Sequence, residues 1–545
     1  MKMISKKKVN HIGPLDASIF ILGKAPGADE DHYGIPFVGQ IGKFLDHCLS
    51  LAGIDRESCR IGNVCNYKPT RNIFAILKDS DQLKESHAEL SAYLETYRPR
   101  IIIALGNEAL RYLRHHDGIS NWRGSVLPYS HNSFIIPTYH PADAIRDGTF
   151  APQVVFDLTK AKRVLDHGYT RPVHDFVIDP HPDQLESILE EVRNAPFIAA
   201  DIETGMSTSY VKCFGFAVSS NRAFTFRNHY DVGIEQSFSK MVSAVISAAK
   251  EIVYHNGSYD TSQLRDNHVE YAERLDYDTM LAQRVLEPDL PIGLAFCASI
   301  YTDEPYYKND GKETGKRITW EKLAPYNCID CIVTWQTRVE QEKIFALDSI
   351  LDTDRKFIFS RIPLMQEFQR NGMLVDEERR DTLRRSTQAK LSQSERIVNI
   401  STGYSLNFRS SKQVKSLLYD ILKLPIRKKR NASGEEVISA DEDAIVSLIQ
   451  YVQGQIDDKK TNTGRDPWLL RLYALKSILD IRGNEKLISS YFDAASSADG
   501  RIRSSYYPAG TDTGRWSCGT YVDGTGLNAQ TLPRLEIEIT TQQEA

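Results

Sequence analysis

An apolar run that ends in two acids, Phe197-Ile198-Ala199-Ala200-Asp201-Ile202-Glu203-Thr204, constrains this chain more than any other stretch. Side chains alternate across a strand, so the spacing predicts Asp201 and Glu203 on one face at the strand's end, with Thr204-Gly205 turning the backbone. Two carboxylates held that close repel unless a positive charge lies between them, and hard divalent cations prefer carboxylate oxygen. A strand that merely ends in solvated acids is the alternative this stretch leaves open.

Two later stretches narrow the choice. In Val253-Tyr254-His255-Asn256-Gly257-Ser258-Tyr259-Asp260 a short β-like run leads through a turn to a further acid. Tyr326-Asn327-Cys328-Ile329-Asp330 precedes a helical run, and residues four apart share a helix face, so Tyr326 and Asp330 can point into one cleft. Three acidic stretches in this order, with a tyrosine one turn before the last acid, resemble the DEDD proofreading exonucleases of the tyrosine subtype. The resemblance covers residues 190 to 345, and Asp278-Thr279-Met280-Leu281-Ala282 and Leu290-Pro291-Ile292-Gly293-Leu294 are similar to that family's middle helices. It implies Asp201, Glu203, Asp260 and Asp330 as metal ligands and Tyr326 as the residue that orients the attacking water. Phosphodiester hydrolysis needs a deprotonated water and neutralised charge on the phosphate and leaving oxygen, which a two-metal site about 4 Å across supplies. An all-oxygen site with phosphate as co-ligand suits Mg²⁺, with Mn²⁺ as the alternative ion.

The chain has 545 residues, 41% hydrophobic and 26% charged, which is enough to bury several cores. A formal net charge of -5 gives no global basic field, so any DNA path is lined locally. Lys6-Lys7-Lys8 and Arg427-Lys428-Lys429-Arg430 are the basic runs, to be read as solvated loops or phosphate tracks. No stretch is long and apolar enough to span a membrane, and the N-terminus lacks a signal peptide's apolar core. Eight scattered cysteines read as reduced thiols of a cytoplasmic protein. Cys328 and Cys331 have zinc-like spacing, but no second Cys/His pair accompanies them, so packing is the better reading.

Before the acidic stretches, Ile19-Phe20-Ile21-Leu22, Arg100 to Gly106 and Phe134 to Thr138 read as buried strands with helical patterns between them. This alternation predicts an α/β layer with a mostly parallel sheet and ligand loops at the carboxyl ends of its strands. Gly23-Lys24-Ala25-Pro26-Gly27, Gly34-Ile35-Pro36-Phe37-Val38-Gly39, Asn63-Val64, Leu105-Gly106-Asn107 and His140-Pro141-Ala142 resemble the family 4 uracil-DNA glycosylases. The resemblance implies that Phe37 stacks on an extruded base, that Asn63 lies in the base pocket and that His140 contacts the base near the bond being cut. Lys24 stands where the family usually has Glu at the site of water activation, and a cation there cannot serve as general base. The family also binds an iron–sulfur cluster through four cysteines. Here the segment before Ile19 has none, and the later positions fall on Tyr67, with Cys65 offset, and Ser86. No cluster is expected, and the domain reads as a DNA-holding or partner-binding relic, with an altered glycosylase and a structural appendage as rivals.

His167 to Pro182, rich in Pro, His, Asp and Gly, reads as a linker, followed by a helical pattern to Asn194 and an exonuclease domain that opens at Pro196. Val211 to Ser219 and Ala223 to Phe226 read as strands, Glu235 to Lys250 as an amphipathic helix, and Asn309 to Lys316 as a polar loop. Beyond residue 350 the pattern is mainly helical. Ser410-Ser411 offers an N-cap, and Val414, Leu417, Leu418, Ile421 and Leu422 form an apolar face for core packing. Phe368 to Asp376, Leu406 to Gln413, a Gly434 loop, Ser439 to Ala444, Arg482-Gly483-Asn484-Glu485-Lys486-Leu487, Thr511 to Ser517 and Leu527-Asn528-Ala529-Gln530-Thr531-Leu532-Pro533 together resemble the thumb and palm entry of family A DNA polymerases. That resemblance implies DNA contacts from Arg515, Lys486, Asn528 and Gln530; a guanidinium can donate to phosphate and base-edge acceptors at once.

After Arg534 no stretch matches the metal-binding palm strand, the fingers helix or the second acidic palm motif. The expectation is an α/β multidomain chain: a glycosylase-like domain (1–165), a linker and entry helix (166–195), a ribonuclease H-like exonuclease (196–350), a helical thumb (351–500) and a palm start (501–545). Its partners would be single-stranded DNA 3′ ends, primer–template, and a separate polypeptide carrying palm and fingers. The arrangement is similar to some large bacteriophage enzymes, so host cytoplasm is the expected compartment. An RNA-processing DEDD exonuclease and a non-catalytic primer–template scaffold for a separate palm subunit are the rival readings.

Overall fold

The computed structural model describes residues 4–130, 132–205, 208–228, 232–309, 318–430, 436–458, 462–511, 513–521 and 524–532. The Asn309 to Lys316 loop beyond its first residue, the Gly434 loop, Asp512 and everything from Pro533 onward lie outside these residues. The chain divides into two compact units, residues 1–366 with 507–516, and residues 367–506 with 517–545.

The first unit holds two α/β layers in succession. A five-stranded sheet runs in the order Arg60–Asn63, Ile19–Gly23, Ile101–Leu105, Phe134–Thr138, Leu127–Pro128. Its four long neighbours are parallel and only the short edge strand Leu127–Pro128 is antiparallel. Every residue of Ile19–Gly23 and Ile101–Leu105 is buried, as expected of strands covered by helices on both faces. The helices Gly39–Leu51, Asp81–Tyr97 and Phe150–His167 provide that cover.

The second layer is a six-stranded mixed sheet ordered Tyr277–Asp278, Ile252–Tyr254, Ile198–Gly205, Thr208–Ala217, Arg222–Arg227, Asp175–Ile178. Two expectations fail here. The supposed linker carries Asp175–Ile178, which pairs in parallel with Arg222–Thr225, and Ile188, Leu189 and Val192 of the following helix pack into this layer's core. The layer therefore begins well before Pro196; a four-residue edge strand with a single polar residue carries too little alternation to be read. The acidic strand also runs on through Gly205, whose partner is Thr208, so the chain does not turn at Thr204. At the other end, Leu351 and Phe359 still pack against Ala199, Val253 and Tyr277, and the first compact unit runs on to Gln366.

The second unit is built on the helices Glu377–Thr402, Glu442–Asp457 and Asn462–Leu487. Ser410 caps the helix that begins at Ser411, and Val414, Leu417, Leu418 and Leu422 enter a core with Leu448, Val452 and Ile478. In the basic run, Lys428 pairs with Glu436 at 3.2 Å and Lys429 with Asp441 at 2.8 Å, so half of its charge is already neutralised. Among the described residues no helix is long and apolar enough to cross a membrane.

Candidate active site

The acidic strand, the start of one helix and the middle of another converge on a single cleft. Asp201 and Glu203 leave the same face of Ile198–Gly205, as the period of two requires. Opposite Asp201 in the ladder stands Gly215, where a Cβ would fall 2.1 Å from Asn327 Oδ1. The missing side chain lets the helix Trp320–Leu347 approach the sheet. That helix carries Tyr326 and Asp330 four residues apart, as the sequence predicts. Carboxylate oxygens of Asp201, Glu203 and Asp330 lie within 4.8 Å of one another.

Asp260, in the first turn of the helix Gly257–Asp266, stands outside that trio. Its Oδ1 accepts a hydrogen bond from the Ile202 amide at 3.1 Å, which ties it to the backbone between the two strand acids.

Electrostatics mark the trio as a cation site. Burial, reinforced by Asp330, Asp260 and Glu203, pushes the Asp201 carboxyl well above its ordinary range. Burial, then Asp330, lifts Glu203 to about 7. A positive charge already stands there: Lys308 Nζ donates to Asp330 Oδ1 at 2.5 Å and to the Tyr326 hydroxyl at 3.0 Å. This ammonium occupies the place of a cation among oxygen donors, and an all-carboxylate set suits a hard divalent ion. The residues fit such a metal.

Four contributors escaped the sequence reading. Lys308 is one, and Tyr307, whose hydroxyl donates to Asp330 Oδ1 at 2.6 Å, is another. Asn327 Nδ2 donates to Asp201 Oδ2 at 2.8 Å while Thr225 donates to its Oδ1 at 3.1 Å, so the amide fixes one ligand's rotamer. Asp278 accepts from the amides of Asn256 at 3.1 Å and Gly257 at 2.9 Å, holding the turn that launches the Asp260 helix. Asn327 lies inside the Tyr326 to Asp330 stretch and Asp278 opens a stretch likened to the family's middle helices, whereas Lys308 and Tyr307 left no sequence signal.

The first layer carries a separate cavity of about 310 Å³ at the carboxyl ends of its strands, lined by Lys24, Phe37, Asn63, Glu108 and His140. Phe37 has φ 52° and is 3% exposed, its ring 5.9 Å from the His140 imidazole. A Cβ at Gly23 would fall 2.4 Å from that ring, so the loop needs glycine there. His140 caps the helix Pro141–Arg146, its Nδ1 accepting from the Ala142 amide at 3.1 Å. Burial lowers the ring's pKa to about 4 and keeps it neutral. Asn63 is 2% exposed, and its Nδ2 has no hydrogen-bond partner among the described residues. Lys24 is not a bare cation, because Glu108 lies 3.3 Å from its Nζ. Where the resemblance would place an iron–sulfur cluster, buried Cys65 has Ser86 Oγ 3.9 Å away, and Tyr67 donates to Glu85 at 2.9 Å. One thiol with a serine and a tyrosine cannot furnish four thiolates, so these residues do not fit a cluster.

The polymerase-like DNA-binding residues divide between the units. Arg515 is exposed, and its amide donates to Thr511 Oγ1 at 3.0 Å across a turn with Gly514 at φ 72°. In the second unit, exposed Lys486 lines a groove with Arg409, Arg482 and Glu485. Asn528 accepts from the Gln530 amide at 3.0 Å, capping a short turn.

A carboxylate cluster on a mixed sheet, in one unit with a parallel α/β layer that carries a base-sized cavity, is similar to a nuclease of the DNA polymerase A class joined to a glycosylase fold. Residues 178–343 match the 3′–5′ exonuclease family of that class, and residues 10–158 match the uracil DNA glycosylase superfamily, to which the chain belongs through its first domain. The type-4 uracil-DNA glycosylase of Thermotoga maritima is 35% identical over 28% of this chain and 79% of its own length. The DNA polymerase of Bacillus phage SP01 is 21% identical over 72% of this chain and 47% of the polymerase. DNA polymerase I of Pseudomonas aeruginosa is 26% identical over 63% of this chain and 38% of the enzyme. The chain thus spans less than half the length of these two polymerases.

Proposed function

We propose that this chain removes nucleotides from the 3′ end of single-stranded DNA with Mg²⁺, as the proofreading and DNA-holding part of a family A DNA polymerase. The observation that carries the reading is the trio of half-buried Asp201 and Glu203 with buried Asp330, and Tyr326 one helical turn from the last acid. Two bound divalent ions would lower the pKa of the attacking water and neutralise charge on the leaving oxygen. Asp201, Glu203 and Asp330 would hold them, with Asp260 completing the set from behind the strand. Burial raises the Tyr326 hydroxyl's pKa, followed in weight by Asp330, so the phenol stays protonated. A neutral phenol orients a water by hydrogen bonding rather than by removing its proton. Lys308 adds positive charge where the phosphate's charge builds up.

In the same proposal, the first-layer cavity holds a base without excising it. Phe37 supplies a stacking face and Asn63 a free amide donor, while the cavity's acids are already engaged: Glu108 by Lys24, Asp143 by Arg146 at 3.4 Å, and Glu30 by the Gly27 and Phe37 amides.

Digestion of 5′-labelled single-stranded DNA and RNA of one sequence tests the reading. Shortening of DNA from its 3′ end, at least about tenfold faster than RNA, is the expected result, since a binding site discriminates by its fit to the sugar. Equal cleavage would favour RNA processing, and no cleavage of either would favour a scaffold.

A further inference from the structure

The glycosylase-like layer reaches the exonuclease cleft through one segment, Ser299 to Lys308. The helix Leu294–Tyr301 ends in this segment, and buried side chains of the first layer grip it. Lys160, 7% exposed, directs its ammonium at three carbonyls: Gly124 at 3.0 Å in its own layer, and Thr302 at 2.9 Å and Ser299 in the exonuclease. Arg123 is 2% exposed and forks onto Asp157, which is 0% exposed, while its Nη1 donates to Ser299 Oγ at 2.7 Å. Ser125 Oγ accepts from the Tyr306 amide at 3.0 Å, and Trp122 meets the Tyr306 ring edge-on at 5.3 Å. Arg163 pairs with Asp303, whose carbonyl also accepts from the Tyr169 hydroxyl at 3.1 Å. At Gly124, with φ +71°, a Cβ would fall 2.8 Å from Asp157 Oδ1 and 2.9 Å from the Ser299 carbonyl, so the two layers meet there without room for a side chain.

The next two residues, Tyr307 and Lys308, are the ones that touch Asp330. We infer that the glycosylase-like domain is a positioning element of the exonuclease site: by gripping Ser299 to Tyr306 it holds the Tyr307 hydroxyl and the Lys308 ammonium against Asp330. Three buried charges fixed between the layers are costly unless fully paired, so this contact has one arrangement rather than many. Lys160 and Lys308 share no hydrogen-bond partner among the described residues, and the segment is the stretch of backbone that links their partners. The inference rests on the exonuclease reading only for the identity of the site.

Mn²⁺ titration of the intact chain, followed by the electron paramagnetic resonance of free Mn²⁺, tests it without any turnover. Lys308→Met removes the competing ammonium and is expected to tighten Mn²⁺ binding about tenfold. Lys160→Met, which loosens the segment from the other layer, is expected to tighten it about threefold. The double variant should bind no tighter than Lys308→Met alone, because Lys160 acts through Lys308. Ser125→Ala loses one hydrogen bond and no charge; it carries the same expectation at smaller size and decides the matter if Lys160→Met does not fold. Unchanged Mn²⁺ affinity in the folded first-layer variants, or fully additive effects, would overturn the inference. Mn²⁺ affinity does not depend on which polymer is cut, so failure of the DNA reading and failure of this one are told apart.

Discussion

The carboxylate cleft of the second layer and the cavity of the first are opposite treatments of buried charge. In the cleft, Asp201, Glu203 and Asp330 crowd together with a single ammonium among them, leaving an excess of negative charge for a divalent ion. In the cavity, Lys24 and Glu108 cancel, His140 is kept neutral and Phe37 closes one wall. Both sites lie in one compact unit and differ in how their charge is balanced.

The largest test of that contrast is Asp201→Ala with Glu203→Ala. Loss of two ligands should slow metal-dependent DNA degradation by about a thousandfold or more. Thermal stability of the metal-free protein should not fall, since both half-buried acids are held beside other carboxylates at a cost. Parent-like digestion by the double variant would mean that the trio is not the reaction centre.

The cavity should give the converse result. Release of uracil from DNA should fall about a hundredfold or more below that of a type-4 glycosylase, the deficit expected from a missing general base. Lys24→Glu alone would set two carboxylates side by side, so Lys24→Glu combined with Glu108→Ala is the sharper variant. A gain of uracil release in that pair, and none in Lys24→Glu alone, would locate the inactivity in the ion pair. Robust release by the parent would break the comparison.

A smaller effect is expected at the polymerase-like surface. Arg515→Ala should weaken primer–template binding a few-fold and lower the slope of log affinity against log salt by about one, as for a single lost phosphate contact. A variant with parent affinity and parent slope would remove Arg515 from the DNA path.

The smallest effect concerns pH. The His140 pKa is depressed by burial to about 4 from an ordinary 6.5, so its contribution to stability is present above pH 6.5 and is lost as pH falls toward 4. For a ring partly open to the cavity this amounts to about 1–2 kcal/mol. His140→Asn keeps a helix-capping acceptor without the titration, so urea midpoints of parent and variant should converge between pH 7 and 4.5. Parallel curves over that window would show that the imidazole titrates as if in water.

Much of the cleft was legible because its members obey short-range periods. Asp201 and Glu203 follow the alternation of a strand and Tyr326 and Asp330 the turn of a helix, whereas Asp260, expected from a β-like run and a turn, stands outside the trio. Lys308 and Tyr307 were not legible, since they lie in a connection without periodicity and meet Asp330 only through tertiary packing. Glu108 reaches Lys24 across two loops far apart in the chain, so Lys24 alone suggested an uncompensated cation. The edge strand Asp175–Ile178 carries the proline- and histidine-rich flanks of a linker, and its pairing with Arg222–Thr225 is a property of the sheet rather than of its own residues.

Family boundaries at 158 and 178 invite a picture of two interchangeable modules on a string. The Arg123–Asp157 pair and Lys160 argue otherwise. A foreign glycosylase grafted ahead of this nuclease would leave the Ser299 and Thr302 carbonyls without donors, while the native one, cut free, would expose a guanidinium and an ammonium shaped to grip them. A side chain introduced at Gly124 would meet both Asp157 and the Ser299 carbonyl, so a substitution on one side of the seam has to fit the other.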